Sequence, residues 1–368
     1  MIKAPIGEGA SMNAAILTFQ FAHNYGALLQ AYALSRYLKG RNIHVEIAPY
    51  NPEWAQAEYA ISPLAKGIPP RRRIRLALQY PRRKKQSQFF EQFIAEELNA
   101  GDTFATEQEL YQWLDRHDCV VCGSDQIWNN RITGDSAAYY AAGSRVKKVS
   151  YAASLGTAQL SAAQKKNMEA YLPQFSALSV REPGSAEKVE QLLHKPVQVV
   201  LDPVFLLEKE EWMKLARPVD VDPNFLFLYF LQEDEVLLHW AQTYAKEHGL
   251  KIYEVHPTMA ARHAGCKRLD EVGPKEFVWL IQNAACVCTN SFHATAFSTI
   301  YKKKLLHIPN SKSPERTISL LQRAGITLEQ GGKMPLYDLA LYDGSSLEYE
   351  IEKSKAFLDA ALREDTLR

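Results

Sequence analysis

Short apolar runs that suit buried strands alternate with amphipathic stretches at helical spacing along most of this chain, and that alternation admits few folds. Strands joined through helices pair in parallel, because a parallel crossover needs a dozen or more residues and a helix supplies them. Ala14 to Phe19 reads as a first strand. Asn24 can cap a helix running to about Lys39, in which Tyr25, Leu28, Leu29 and Tyr32 share one face. Further strands are expected at 43–47, 118–122, 147–153, 177–181 and 197–201, and Thr106 with Glu109 forms a capping-box pattern. The stretch RPVDVDP from Arg217 to Pro223 reads as a linker. After it the alternation restarts, with a strand at 225–231, a helix at 234–248, a strand at 251–255 and a helix at 274–283. The expected organisation is an α/β protein with largely parallel sheets. It has an N-terminal domain at 12–216, a C-terminal domain at 224–345 and a last helix at 346–368. In that helix Leu347, Ile351, Leu358 and Leu362 form a stripe suited to packing back on the first domain.

Charge separates one segment from the rest. Overall 43 basic residues stand against 42 acidic ones, so net charge indicates no polyanionic partner. Between Tyr59 and Phe90, however, there is no acidic residue and there are nine basic ones: Lys66, Arg71, Arg72, Arg73, Arg75, Arg82, Arg83, Lys84 and Lys85. Ile74, Leu76, Leu78 and Tyr80 are interleaved with them. This basic segment, 66–85, reads either as a solvated helix or as a patch for anionic lipid headgroups or a lipid diphosphate. No nucleic-acid module accompanies it, so nucleic acid is not an expected partner. The five cysteines lack metal-ligand spacing, Cys119 and Cys122 included, and read as buried reduced thiols. No cluster of His, Asp or Glu has metal spacing either, so no metal or other cofactor is expected. No run approaches the roughly 18 apolar residues that cross a membrane. The first eleven residues lack the apolar region of a signal peptide and read as a disordered leader. A cytoplasmic protein, peripheral at the inner membrane face through the basic segment, is the corresponding expectation.

One strand-to-helix turn carries a titratable group. In AACVCTNSFHATAFS the run 284–288 suits a buried strand, Thr289, Asn290 and Ser291 bring cap-forming side chains, and His293 falls in the first turn of the next helix. Ligands of open α/β sheets bind at the carboxyl ends of strands, where helix N-termini point free N–H groups at anions. There, His293 is either a satisfied cap residue or a proton-transfer group working near neutral pH. Asp125, in GSDQIW after the strand ending at Cys122, is a second strand-end candidate, with an Asx-turn or helix cap as the plain alternative. Gln126 offers a hydrogen bond, and Trp128 either a sugar-stacking face or core packing. Asn24, Tyr25 and Gly26 occupy the turn after the first strand, where Gly26 permits a close approach. Ser154 and His23 are weaker candidates of the same kind.

Taken in order, NYGALLQAYALSRYL at 24–38, VVCGSDQIWN at 120–129, SYAASLG at 150–156, SVREPGS at 179–185, LDPVF at 201–205 and TNSFHATAFS at 289–298 resemble the polysaccharide pyruvyl transferase family. The resemblance covers roughly residues 13–310. It implies two Rossmann-like domains facing a cleft, similar to GT-B glycosyltransferases. It also implies transfer of a pyruvyl group from phosphoenolpyruvate to a hydroxyl pair of a glycan or polyprenyl-diphosphate-linked sugar, giving a ketal and phosphate. Donor contacts carry over to Arg181 in SVRE and His293 in SFHA, with Ser291 and Phe292 beside it at the helix start. Asn24, Tyr25, Gly26, Asp125 and Gln126 then face the acceptor, with Asp125 as a second base. The chain departs from other branches at Ser291, where they carry an arginine. Two other readings use the same fold. One is a GT-B glycosyltransferase with a nucleotide sugar, for which Glu276 is the lone ribose-binding candidate. The other is a non-catalytic sugar-phosphate binding protein.

Overall fold

The structure is a computed structural model that describes residues 12–363 except 65–67, 69, 100, 135, 157–158, 257–262 and 329–332. The expected leader and Lys66 lie outside the described residues. The first half runs β1 (Asn13–Leu17), α1 (Tyr25–Lys39), β2 (His44–Ile47), α2 (Glu53–Glu58), α3 (Pro70–Phe93), α4 (Glu107–Leu114), β3 (Cys119–Cys122) and α5 (Asn130–Thr133). It continues through β4 (Lys147–Ser150), α6 (Ala162–Tyr171), β5 (Ser179–Val180), α7 (Pro183–Leu193), β6 (Gln198–Val199) and α8 (Lys209–Leu215). The second half runs β7 (Phe225–Tyr229), α9 (Glu235–Glu247), β8 (Lys251–Val255), β9 (Cys266–Arg268), α10 (Pro274–Asn283), β10 (Cys286–Thr289) and α11 (Phe292–Ile300). It closes with β11 (Lys304–His307), α12 (Pro314–Arg323), β12 (Leu336–Asp338) and α13 (Ser345–Arg363).

Two Rossmann-like sheets result, the GT-B-like arrangement. The first has the order β2-β1-β3-β4, all parallel. Single bridges at Val149–Ala177 and Ala153–Val180 continue it towards the parallel pair β5-β6. The second has the order β12-β11-β10-β7-β8-β9, parallel except for β12. The central strands CVVC, FLFLY and CVCT are buried throughout, as strands covered by helices on both faces must be.

Strand order fixes where each half can bind a ligand. From β1 the chain leaves to β2 on one side and returns to β3 on the other, so the crevice opens between the ends of β1 and β3. In the second sheet the chain leaves β7 for β8 and β9 and returns to β10, so the crevice opens between β7 and β10. The turns after these four strands hold Asn24, Asp125, Leu231 and His293.

One apolar core joins the halves. Tyr25 stacks on Phe277 with centroids 4.5 Å apart, and Trp212 meets Phe297 edge-on at 4.8 Å. Helix α13 contacts the first half: Ser354 Oγ accepts the Leu201 N–H at 2.9 Å, and Asp359 takes hydrogen bonds from Tyr37 and Arg41.

Helix α3 is longer and more tied down than a solvated basic helix. It runs 24 residues through Pro81 and reaches the second half, where Lys85 pairs with Glu271 at 2.9 Å and Arg82 lies 3.9 Å from Asp270. Four cysteines are buried, Cys266 is partly so, and no disulfide forms among the described residues. No helix among the described residues is long and apolar enough to cross a membrane.

Candidate functional site

Two helix N-termini meet across the gap between the sheets. Asn24 caps α1, its Oδ1 accepting the N–H groups of Gly26 at 3.0 Å and Ala27 at 3.3 Å. Ser291 caps α11, its Oγ accepting the Ala294 N–H at 3.5 Å. Gly26 packs directly on His293: a Cβ at position 26 would sit 1.8 Å from Nδ1 of the imidazole. The α1 terminus therefore approaches the α11 terminus only because residue 26 has no side chain. Between them lies a cavity of about 110 Å³. Asn24, Tyr25, Gly26, Asp125, Gln126, Ser291, Phe292 and His293 all line it, whereas Arg181 and the weaker candidates His23, Trp128, Ser154 and Glu276 do not.

Arg181 stands just behind the wall. It is 3 % exposed, with Nη1 2.6 Å from Asp202 and Nε 2.9 Å from Glu182. Its guanidinium carbon lies 4.5 Å over the Phe292 ring. The cation that does line the cavity is Arg316, from the first turn of α12, with its guanidinium carbon 5.1 Å from the Phe292 ring centroid. Its Nε is 3.6 Å from Glu182, outside hydrogen-bond reach. Arg181 Nη2 and Arg316 Nε are buried donors with no acceptor among the described residues. Burial, and then the like charge of Arg181, bring the Arg316 guanidinium down to about 10.

Asp202 organises the interior of the site. Its Oδ2 accepts from Arg181 and from Ser124 Oγ at 3.3 Å, and lies 3.4 Å from His293 Nε2. Burial would raise this carboxyl, but His293 and Arg181 outweigh it and hold it well below the usual carboxylate range. A permanently charged carboxylate thus backs the Nε2 edge of His293, while the Nδ1 edge lies against Gly26 at the cavity wall. Asp125 has φ +65°, in the left-handed region that Asp tolerates, and no hydrogen bond to its carboxylate occurs among the described residues. It caps no helix, since Asn129 caps α5.

Several weaker candidates have structural duties. Trp128 is not a sugar-stacking face: it is 1 % exposed, stacks on Tyr140 and donates Nε1–H to the Tyr139 carbonyl. Ser154 donates to Glu182 at 3.0 Å, behind the arginines. His23 stacks on Phe90, and burial, with Arg83 adding, lowers it to about 4. Glu276 accepts the Gly273 N–H of its own helix start at 3.0 Å and lies 3.3 Å from Arg217. Asp202 and Arg316 were not among the sequence candidates. Asp202 stands in the LDPVF motif, whose Asp-Pro pair signals a cap, and it does cap Val204. Arg316 follows Ser313-Pro314, a helix-start signal after a strand, just beyond the last motif. Away from the cavity, Glu233, His256 and His263 come close enough together to hold a metal ion, which their spacing in the sequence does not suggest.

A family model described as polysaccharide pyruvyl transferase matches residues 24–312. A search of curated protein sequences returns no match. Among solved structures, the UDP-GlcNAc 2-epimerase of Neisseria meningitidis bound to UDP-GlcNAc aligns over 96% of this chain and 100% of its own, with a TM-score of 0.51 at 10% identity. The UDP-GlcNAc 2-epimerase of Methanocaldococcus jannaschii aligns over 94% of this chain and 99% of its own, with a TM-score of 0.50 at 13% identity. At such identities the likeness is one of fold.

Proposed function

The chain belongs to the polysaccharide pyruvyl transferase family, and from that membership we propose that it moves a pyruvyl group from phosphoenolpyruvate to a hydroxyl pair of a glycan or lipid-linked sugar. The observation that carries the donor assignment is the pair of buried guanidinium donors without acceptors among the described residues, Arg181 Nη2 and Arg316 Nε, both beside Phe292 at the cavity. A buried donor left unpaired costs about 1–3 kcal/mol, and a small dianion restores the missing acceptors. The N-termini of α1 and α11 add N–H groups and dipoles of the same sign. Arg316 is the group we assign to the positive charge that other branches place at position 291.

The chemistry follows from the donor. A proton is added to the methylene carbon of the enol, and one acceptor hydroxyl attacks the neighbouring carbon. The second hydroxyl then displaces phosphate from that carbon and closes the ketal, and both hydroxyl protons are released. His293, at the cavity wall with the Asp202 carboxylate 3.4 Å behind its Nε2, is the group that moves protons. Asp125, on the acceptor side with its carboxylate unengaged by the described residues, takes a hydroxyl proton. Asn24, Tyr25, Gly26 and Gln126 complete the acceptor wall.

The basic helix supports a lipid-linked acceptor. Ile74 is 69% exposed and Leu78 81%, on the same helix as the basic residues, an arrangement suited to an anionic bilayer surface. Such a protein works at the cytoplasmic membrane face. The nucleotide-sugar reading has the epimerase-like fold in its favour, but Glu276 is occupied by its helix cap and Arg217. The test is phosphate release from phosphoenolpyruvate by purified protein, with and without a panel of glycans and polyprenyl-diphosphate sugars. Release that requires an acceptor is expected. Release with none of them, alongside turnover of a nucleotide sugar, would replace this reading with the glycosyltransferase.

A further inference from the structure

We propose that Glu233, His256 and His263 form a zinc-class divalent metal site at the carboxyl edge of the second sheet, apart from the donor cavity. His256 follows β8 directly, His263 precedes β9 and Glu233 lies between β7 and α9. Their ligand atoms all fall within 4.8 Å of one another. His256 Nε2 is 2.7 Å from one Glu233 oxygen and His263 Nε2 is 2.9 Å from the other, so both imidazoles converge on one carboxylate. Two imidazole nitrogens and a carboxylate are a borderline-soft donor set that suits zinc, with room on the exposed Glu233 side for water as fourth ligand.

The second observation lies behind the ligands. Glu254, on β8, is 1 % exposed and accepts a hydrogen bond from His263 Nδ1 at 2.7 Å, and its other oxygen has no donor among the described residues. A carboxylate that fixes the far nitrogen of a histidine is the usual second shell of a metal-bound imidazole. It turns Nε2 outward as the ligating atom. Charge agrees: two carboxylates with two neutral imidazoles carry −2, which one divalent ion cancels, and burying Glu254 uncompensated would be costly. A divalent ion needs both imidazoles unprotonated and so competes with protons for them. The site adjoins the catalytic turn through Asn290, whose amide holds Leu231 N–H and the Gln232 carbonyl, one residue before Glu233.

The experiment is equilibrium dialysis of chelator-treated, full-length protein against zinc, with cobalt as a spectroscopic probe. One zinc per chain is expected, with tetrahedral cobalt d–d absorption and affinity falling as pH drops. Glu254→Gln is expected to weaken binding about 10- to 100-fold. Glu233→Gln and the double variant His256→Ala/His263→Ala should abolish it, and His239→Ala, at an exposed histidine outside the cluster, should change nothing. Wild-type protein that binds no zinc, or binds it equally in the double variant, would overturn the proposal and leave an ion-pair network only. The wild-type cobalt spectrum decides the matter even where a variant fails to fold.

Discussion

At the residue scale the site rests on a histidine held from two sides. Gly26 allows the His293 ring to lie against α1, and Asp202 backs its Nε2 edge. Gly26→Ala forces the ring aside, since its Cβ would stand 1.8 Å from Nδ1. A displacement of about 1 Å can cost about 100-fold in rate, so turnover should fall by about that much while circular dichroism stays native. His293→Ala should cost about 100- to 10,000-fold in phosphate release, the usual worth of general acid–base catalysis. Of this site the sequence showed the turns: Asn24, Asp125 and His293 all follow strands whose apolar runs are plain. It did not show Asp202 as a partner of His293, because a contact between residues 91 positions apart depends on how two sheets face each other. Arg316 was hidden for the same reason, standing one βα unit past the histidine and reaching back.

At the element scale the long α3 shows what composition alone conceals. Its charge pattern was legible, but its contacts were not. Lys85 and Arg82 reach acidic residues of the second half, and Gln86 hydrogen-bonds Tyr25. Exposed pairs of this kind contribute little against solvent screening, so the helix is held chiefly by Leu76, Phe90 and Phe93, all buried. Replacing Ile74 and Leu78 with serine should therefore leave the melting temperature nearly unchanged and reduce co-sedimentation with anionic vesicles. Unchanged co-sedimentation would remove the membrane role. Phe90 also stacks on His23, which burial lowers from 6.5 to about 4. Between those values the unfolded chain binds the proton and the folded chain does not. Stability from this group is thus complete above about pH 6.5 and is lost as pH falls towards 4. Urea midpoints measured across that window should slope upward with pH, less steeply in His23→Asn. His307, buried and lowered to about 4, adds to the same slope.

At the scale of the whole molecule the two-domain α/β plan was legible, since each half carries its own run of strands and helices. Less legible was how firmly the halves are joined. The same core contains Leu28 and Tyr25 of α1, Trp212 of α8, and Phe277 and Phe297 of the second half, while α13 returns to the first. A large apolar interface disfavours independent domain motion. Calorimetry should show one cooperative transition, and two resolved transitions would mean the halves unfold separately. The central claim concerns the cavity between the two helix N-termini. Calorimetric titration of phosphoenolpyruvate against UDP, in wild type and Arg316→Ala, tests it most directly. Phosphoenolpyruvate should bind and UDP should not. Loss of Arg316 should weaken binding about 10- to 100-fold, the worth of a charge-assisted hydrogen bond of about 1.5–3 kcal/mol. Tight binding of UDP with none of phosphoenolpyruvate, or phosphoenolpyruvate affinity untouched by Arg316→Ala, would contradict it.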